Sequence, residues 1–465
     1  MKRTVEKLSP RTQWERFKTE YKVLLRLGLP VLVTQVGVIL VNFADTMMVG
    51  AYGVDELASS AFVNSLFIVI GVMQMGFAAG ITPLVGALFS LRNNHETGRT
   101  MRAGMQMNLF VSLAFTIIMA GIYPFLHHFG QPEELLSLIR GYYLIILFTL
   151  LPMAIFNTFQ QTANGMTDTV SPMWVILGAD VVNILGNYML IFGKFGAPEL
   201  GLEGAGISTL TARILAACAM TFIMLRTRRY SHIRDGWRDR TRLGALRMKV
   251  WNTSYPVMIQ SGVECSLWSF GAVVCGWFGK IQLAAFQVVN TMSQIGFMTY
   301  MSFGIAISIR VANMTGRRDM EAARRTATAG LHLDLLLSTV ASLLFLLAGR
   351  FLIHLFTPNE EVIACALGLI VPLVIYQYGD AIQYVYANAL RGTSIVRPLL
   401  WVSLISYIGV GVPLLLILGV GCDMENVGVY LSFSAALFTA SILFIREFRR
   451  AVALKEREFA AIPSE

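Results

Sequence analysis

Charge is scarce in this chain of 465 residues: Asp, Glu, Lys and Arg make up only 14%, against about a quarter in an average soluble domain. Hydrophobic residues make up 55%, and mean hydropathy is +0.62. So little polar surface excludes a soluble globular protein or a disordered chain and points to a membrane protein. Cysteine is also sparse. Cys218, Cys265, Cys275, Cys365 and Cys422 form no CxxC pair, and all but Cys422 lie in apolar runs, so neither a disulfide nor a metal cluster is expected. None of the six histidines has metal-ligand spacing, no cofactor is implied, and no nucleophile constellation is found, so the chain does not read as an enzyme. The first apolar run follows a basic stretch of 26 residues and lacks a small-residue cleavage site, which predicts a retained helix and not a signal peptide.

What the chain has in abundance is apolar runs of spanning length. Twelve are predicted, at about 27–49, 61–89, 104–126, 139–160, 172–193, 204–225, 252–278, 284–309, 329–355, 362–388, 398–419 and 427–446. Of the 37 lysines and arginines, the great majority fall at the termini or in loops after even-numbered segments, whereas the odd-numbered side holds only Lys194 and Lys280 in loops and Arg350 near the end of segment 9. This bias places both termini in the cytoplasm. The basic stretch from Arg226 to Lys249 reads as a topology anchor at anionic headgroups, so membrane lipids are expected partners and nucleic acid is not.

The second half repeats the first. At a constant offset of 226, Pro30 meets Pro256, Asn64 meets Asn290, Arg92 meets Arg318, Gly104 meets Gly330, Pro172 meets Pro398 and Gly193 meets Gly419. Six segments per repeat, an even number, give both repeats the same orientation in the membrane. The expected layout is a cytoplasmic segment 1–26, a first lobe 27–225, a basic linker 226–251, a second lobe 252–446 and a cytoplasmic tail 447–465. The acids are not duplicated: Asp45 meets Gly271, Glu264 meets Val38 and Asp380 meets Ala154. The scaffold is shared and the chemistry is divided unequally.

Carboxylates in mid-membrane are costly unless they face protein or water, and they commonly mark ion pathways. Glu264 and Asp380 sit near the middle of segments 7 and 10. On segment 10, Tyr376, Asp380, Gln383, Tyr384 and Ala387 recur at three and four, forming one stripe of oxygen ligands beside aromatic rings. On segment 7, Gln260 and Ser261 lie one turn before Glu264 and Trp268 one turn after. Asp180, Asn183 and Asn187 share a face of segment 5, and Asn42 and Asp45 are three apart on segment 1. Gln35, Asn42, Gln260, Trp268, Gln383 and Tyr384 are the candidate lining of a substrate cleft. Carboxylate, amide and hydroxyl oxygens suit a hard cation such as Na+, and a desolvated carboxylate can equally hold a proton. Asp180 is either functional or an ion-pair partner of Arg213. Asp334, nine residues past Arg325, reads as an interfacial structural residue.

At these residues the chain resembles the multidrug and toxic compound extrusion (MATE) family, in particular its NorM-type branch. The resemblance runs from Pro30 to about Phe444 and is carried by PVLVTQVGVILVNFADTMMVG, YPVMIQSGVECSLWSF, YQYGDAIQYVYANALRG and SIRVANMTGRRDMEAA. It implies an all-α membrane protein of two pseudo-symmetric six-helix bundles arranged as a V in the bacterial cytoplasmic membrane. It further implies export of amphipathic, often cationic, drugs or dyes in exchange for Na+ or H+. In that picture Glu264, Asp380 and Tyr376 form the second-lobe cation site, where Na+ is a candidate, and Asp45, Asn183 and Asn187 the first-lobe acidic site. A monomer is expected. The rival readings are a lipid-linked precursor flippase of the related superfamily, whose cavity should be basic at its middle, and a major facilitator antiporter, whose GxxxDRxGRR-like loop SLRNNHETGRT does not match.

Overall fold

A computed structural model describes residues 10–461, and every regular element among them is helical. The first repeat comprises α1 (Pro10–Tyr52), α2 (Val54–Ala79), α3 (Ile81–Ser90), α4 (Asn94–Ile122), α5 (Glu133–Phe148), α6 (Leu150–Gly165), α7 (Val170–Phe192) and α8 (Gly201–Arg226). After the short α9 (Arg234–Arg238), the second repeat comprises α10 (Gly244–Phe278), α11 (Lys280–Gly316), α12 (Met320–His354), α13 (Glu360–Gly368), α14 (Ile370–Gly392), α15 (Arg397–Ser403), α16 (Val412–Leu414) and α17 (Glu425–Ala460). Eleven helices or continuous helix pairs are long and apolar enough to cross a membrane, and α13 with α14 makes a twelfth, bent by 46°. The chain is therefore a multi-pass membrane protein.

Two of the predicted spans are not plain helices. The tenth breaks at Leu369, three residues before Pro372, whose ring removes an N–H and crowds the preceding turn. The eleventh widens into π-helix at Leu404–Gly411 and Leu415–Gly421, flanking Pro413.

The repeat seen as residue identities recurs as contacts. Asn93 caps α4 by accepting from the Glu96 N–H, and Asp319, at the same offset, caps α12 by accepting from Ala322. Arg92 and Arg318 share the left-handed conformation, with φ of 57° and 59°. A side chain at Gly104 would collide with Ile81, and one at Gly330 with Ile307, again 226 positions on. The two halves are thus one packing scheme used twice.

By its packing the chain forms two compact units. Among the described residues the first contains 30–270 and 394–404, the second 10–29, 271–393 and 405–461, so α1 and α10 each contribute to both. In the first unit, the basic stretch before α10 is folded down: Tyr230 and Ile233 are buried with Met220, Met224 and Val250. Asp239 anchors its end, accepting from the Thr241 backbone N–H and pairing with Arg99 at 3.3 Å; the backbone bond and these charges hold its carboxyl below the usual carboxylate range.

Candidate ion sites in the two units

In the first unit, α1 and α7 bring three of the sequence-selected residues together. Asn187 donates to the Asp45 carboxylate. Asn183, in the amide orientation that satisfies both of its ends, donates to Asp45 at 2.8 Å and accepts from Thr209 Oγ1 of α8 at 3.1 Å. Ser208 fixes the same turn of α7, its hydroxyl donating to the Asn183 carbonyl at 2.7 Å. Asp45 is half-buried and the two asparagines are buried. Spacing at i and i+4 on α7 put both amides on one face, and α1 supplies the acid they hold.

Asp180 belongs to the same neighbourhood. Its Oδ2 lies against Gly37 of α1, where any side chain would crowd it, and has no hydrogen-bond partner among the described residues. It interacts electrostatically with Asp45. Of the two readings of Asp180, an ion pair with Arg213 is not found among the described residues. Arg213 donates to Thr149 Oγ1 at 2.5 Å and acts instead on Asp45 and Tyr142. Asn42 is exposed and Gln35 half-buried.

On α10, Gln260 is buried, while Ser261, Glu264 and Trp268 are half-buried. Ser261 packs on α2, its hydroxyl against Gly76, and Gly262 packs against Met73. The polar stripe read from the sequence is therefore partly a helix-packing face, since small residues let α2 and α10 approach closely.

In the second unit, the α14 stripe is real and turned inward: Tyr376, Asp380, Gln383 and Ala387 are 6%, 1%, 0% and 2% exposed, and Tyr384 is half-buried. Gln383 Nε2 donates to the Tyr407 hydroxyl at 2.7 Å, and Tyr407 lies in the π-helical segment Leu404–Gly411. Tyr376 meets Tyr430 edge-on at 6.3 Å, and Tyr384 meets Phe297 at 5.3 Å and 89°. An acid, an amide and aromatic rings are held rigidly on one helix face, a set able to receive a positive charge. Asp334, expected at the interface, is instead fully buried at 0% exposure on α12. The signal for it lies in its own helix, where Ala327, Gly330, Asp334, Ser338 and Ser342 form the inward stripe and Leu336, Val340, Leu343 and Leu347 the exposed one.

Comparison with known proteins agrees with this architecture. The MatE family model matches residues 30–189 and again 256–417, one match per repeat. "Multidrug resistance protein NorM" of Aliivibrio fischeri is 27% identical over 93% of this chain and 96% of its own. A NorM protein of Photobacterium profundum is 28% identical over 87% and 88%. Among solved structures, a eukaryotic MATE transporter superposes with a TM-score of 0.83 at 17% identity, covering 95% of this chain and 99% of its own. An outward-facing multidrug resistance MATE transporter gives 0.84 at 16%, covering 94% and 97%. With both repeats matched by the family model, and the relatives just named falling in its NorM-type branch, the chain belongs to the MatE family.

Proposed function

We propose that this protein exports amphipathic, mostly cationic organic compounds across a bacterial cytoplasmic membrane in exchange for Na+ or H+, by alternating access of its two pseudo-symmetric helical bundles. The observation that carries this reading is Asp380: a carboxylate 1% exposed, midway along an apolar helix and flanked by Tyr376 and Gln383 on the same face, in a chain whose relatives are named multidrug resistance proteins. A group so costly to bury is kept when a cation must come and go. Coupling then requires only that ion and drug favour different states or compete, so that each weakens the other's binding. Tyr376 and Tyr384 offer ring faces to an organic cation, and a minority of the 23 methionines offer adaptable walls.

The test is transport by purified protein in liposomes, driven separately by Na+ and pH gradients, with ethidium compared against anionic dyes of matched size. Cation–π contacts of about 0.5–2 kcal/mol correspond to a preference of roughly 2- to 30-fold for the cation. A clear preference for anions would overturn both the site and the exporter assignment.

The charge bias supports cytoplasmic termini. In a cysteine-free background, a cysteine at exposed Ser231 should be shielded from an external membrane-impermeant reagent, and one at exposed Asp423 should react. The reverse pattern would invert the topology.

A further inference from the structure

Arg213 stands at the middle of α8, where a guanidinium is costly to keep unless it faces protein or water. At the repeat offset Arg213 becomes Thr439, Asp45 becomes Gly271 and Asp180 becomes Ser406, so this cation and both acids belong to the first repeat alone. The transport reading above makes no use of it.

Close approaches fix the register of α7 against α8. A side chain at Gly204 would strike the Leu190 carbonyl, one at Gly186 would strike the Ser208 hydroxyl, and the Asn183 amide oxygen lies 3.1 Å from Thr209 Oγ1. Residue numbers fall along α7 as they rise along α8, so the two helices are antiparallel. One further turn on each, from Asn183 back to Asp180 and from Thr209 on to Arg213, brings the acid and the cation to the same level. Asn183 also donates to Asp45 at 2.8 Å, so Arg213 is one turn beyond the contact that holds Asp45.

At that level the two charges point apart. Asp180 Oδ2 lies against Gly37 of α1 and has no hydrogen-bond partner among the described residues. Arg213 turns the other way, to Thr149 at the break between α5 and α6, and among the described residues this is the one hydrogen bond that its five N–H groups make. Thr149 is fully buried and gives its own proton to the Ile146 carbonyl at 2.6 Å, which leaves its lone pairs to the guanidinium. α8 packs on α7, α6, α5 and α2. Among the described residues the ionisable groups that act on Arg213 are Tyr142 of α5, which packs at Gly206 two turns earlier on α8, and Asp45 of α1. A cation with one neutral acceptor, level with an acid whose inner oxygen has no donor, is an ion pair held open.

We propose that Arg213 is the tethered counter-cation of the first-unit acids, competing with the exchanged cation for Asp45 and Asp180, so that two carboxylates take up a single exchanged positive charge. With the guanidinium at Thr149 the acids are open to a cation; when it crosses to them, the cation is expelled. Its part in exchange rests on the antiport reading, but the competition is measurable without it.

The experiment uses the full-length protein in detergent with no drug present and takes the proton as the competing cation. Infrared difference spectra across a pH series report the carbonyl stretch of a protonated carboxyl, and the part of the band lost in Asp45→Asn belongs to Asp45. Arg213→Gln should raise the pH at which that part appears by at least about one unit, a tenfold gain in proton affinity, because the competing charge is gone. Arg213→Lys, which keeps the charge, should return it to the wild-type pH. A role confined to packing would lower the melting temperature of Arg213→Gln and leave the band in place. If Arg213→Gln does not fold, Thr149→Val carries the test: it frees the guanidinium and should move the band to lower pH. An Asp45 band at the same pH with and without the substitution, or seen in neither protein, overturns the proposal. Dye transport indifferent to both gradients would instead remove the antiport reading and leave the titration result standing.

Discussion

Asp380→Asn is expected to lower drug resistance to the level of cells lacking the transporter, while the amount of protein in the membrane stays at the wild-type level. The substitution keeps the side chain's shape and removes its charge. An ionisable side chain at a helix centre costs about 2.5–3.5 kcal/mol to insert, so a neutral amide makes the membrane step no harder. The scaffold already accommodates an uncharged residue at this place, because Ala154 occupies it in the first repeat. On the antiport reading proposed above, what disappears is the group that holds the coupling cation on α14, which leaves drug movement without an ion to be exchanged against. Resistance and membrane abundance must be measured on the same cells. Wild-type resistance at normal abundance would remove Asp380 from the mechanism.

The second large effect concerns stability. Glu20 of α1 is 4% exposed and is gripped by Arg310 of α11, whose Nε and Nη2 donate at 2.9 Å each, with the Thr326 hydroxyl of α12 adding a third bond at 3.0 Å. The fork of the guanidinium matches the carboxylate, so the pair is geometrically strong. Arg310→Met leaves Glu20 buried and uncompensated, which should cost about 3–5 kcal/mol and lower the melting temperature in detergent by several degrees. Adding Glu20→Gln should recover most of that loss, because the penalty lies in the orphaned charge more than in the missing attraction. A single variant that melts with the wild type would show that water reaches Glu20 and that the pair contributes little.

The helices themselves were legible early, and for a simple reason. In a bilayer every backbone group must be satisfied within the helix, so an apolar run of sufficient length has few alternatives. The twelve runs predicted from hydropathy correspond to the spans found, with α13 and α14 counted as one. The Asp45, Asn183 and Asn187 group was legible in part: helical spacing puts the two asparagines on one face, but nothing local says that the face meets α1. Helical spacing places Asp180 on one face of α7 and leaves open whether it is functional or pairs with Arg213, since nothing local says whether α1 or α8 stands opposite that face. The nine residues between Arg325 and Asp334 suggest an interfacial place for the acid. Distance along a helix measures depth, and depth does not say which neighbour stands opposite.

Composition, charge bias and the offset of 226 by themselves determined the class, the number of spans and the internal duplication, because each depends on the solvent or on comparison of the chain with itself. Only the tertiary structure decided which polar residues are satisfied and which are not. The Asn183 and Asn187 amides reach Asp45, Arg213 turns to Thr149, and Asp334 is enclosed within the second unit. Periodicity assigns a residue to a face of its own helix, whereas pairing between helices depends on how whole faces pack, and small residues such as Gly37 and Gly296 set that approach without announcing their partners.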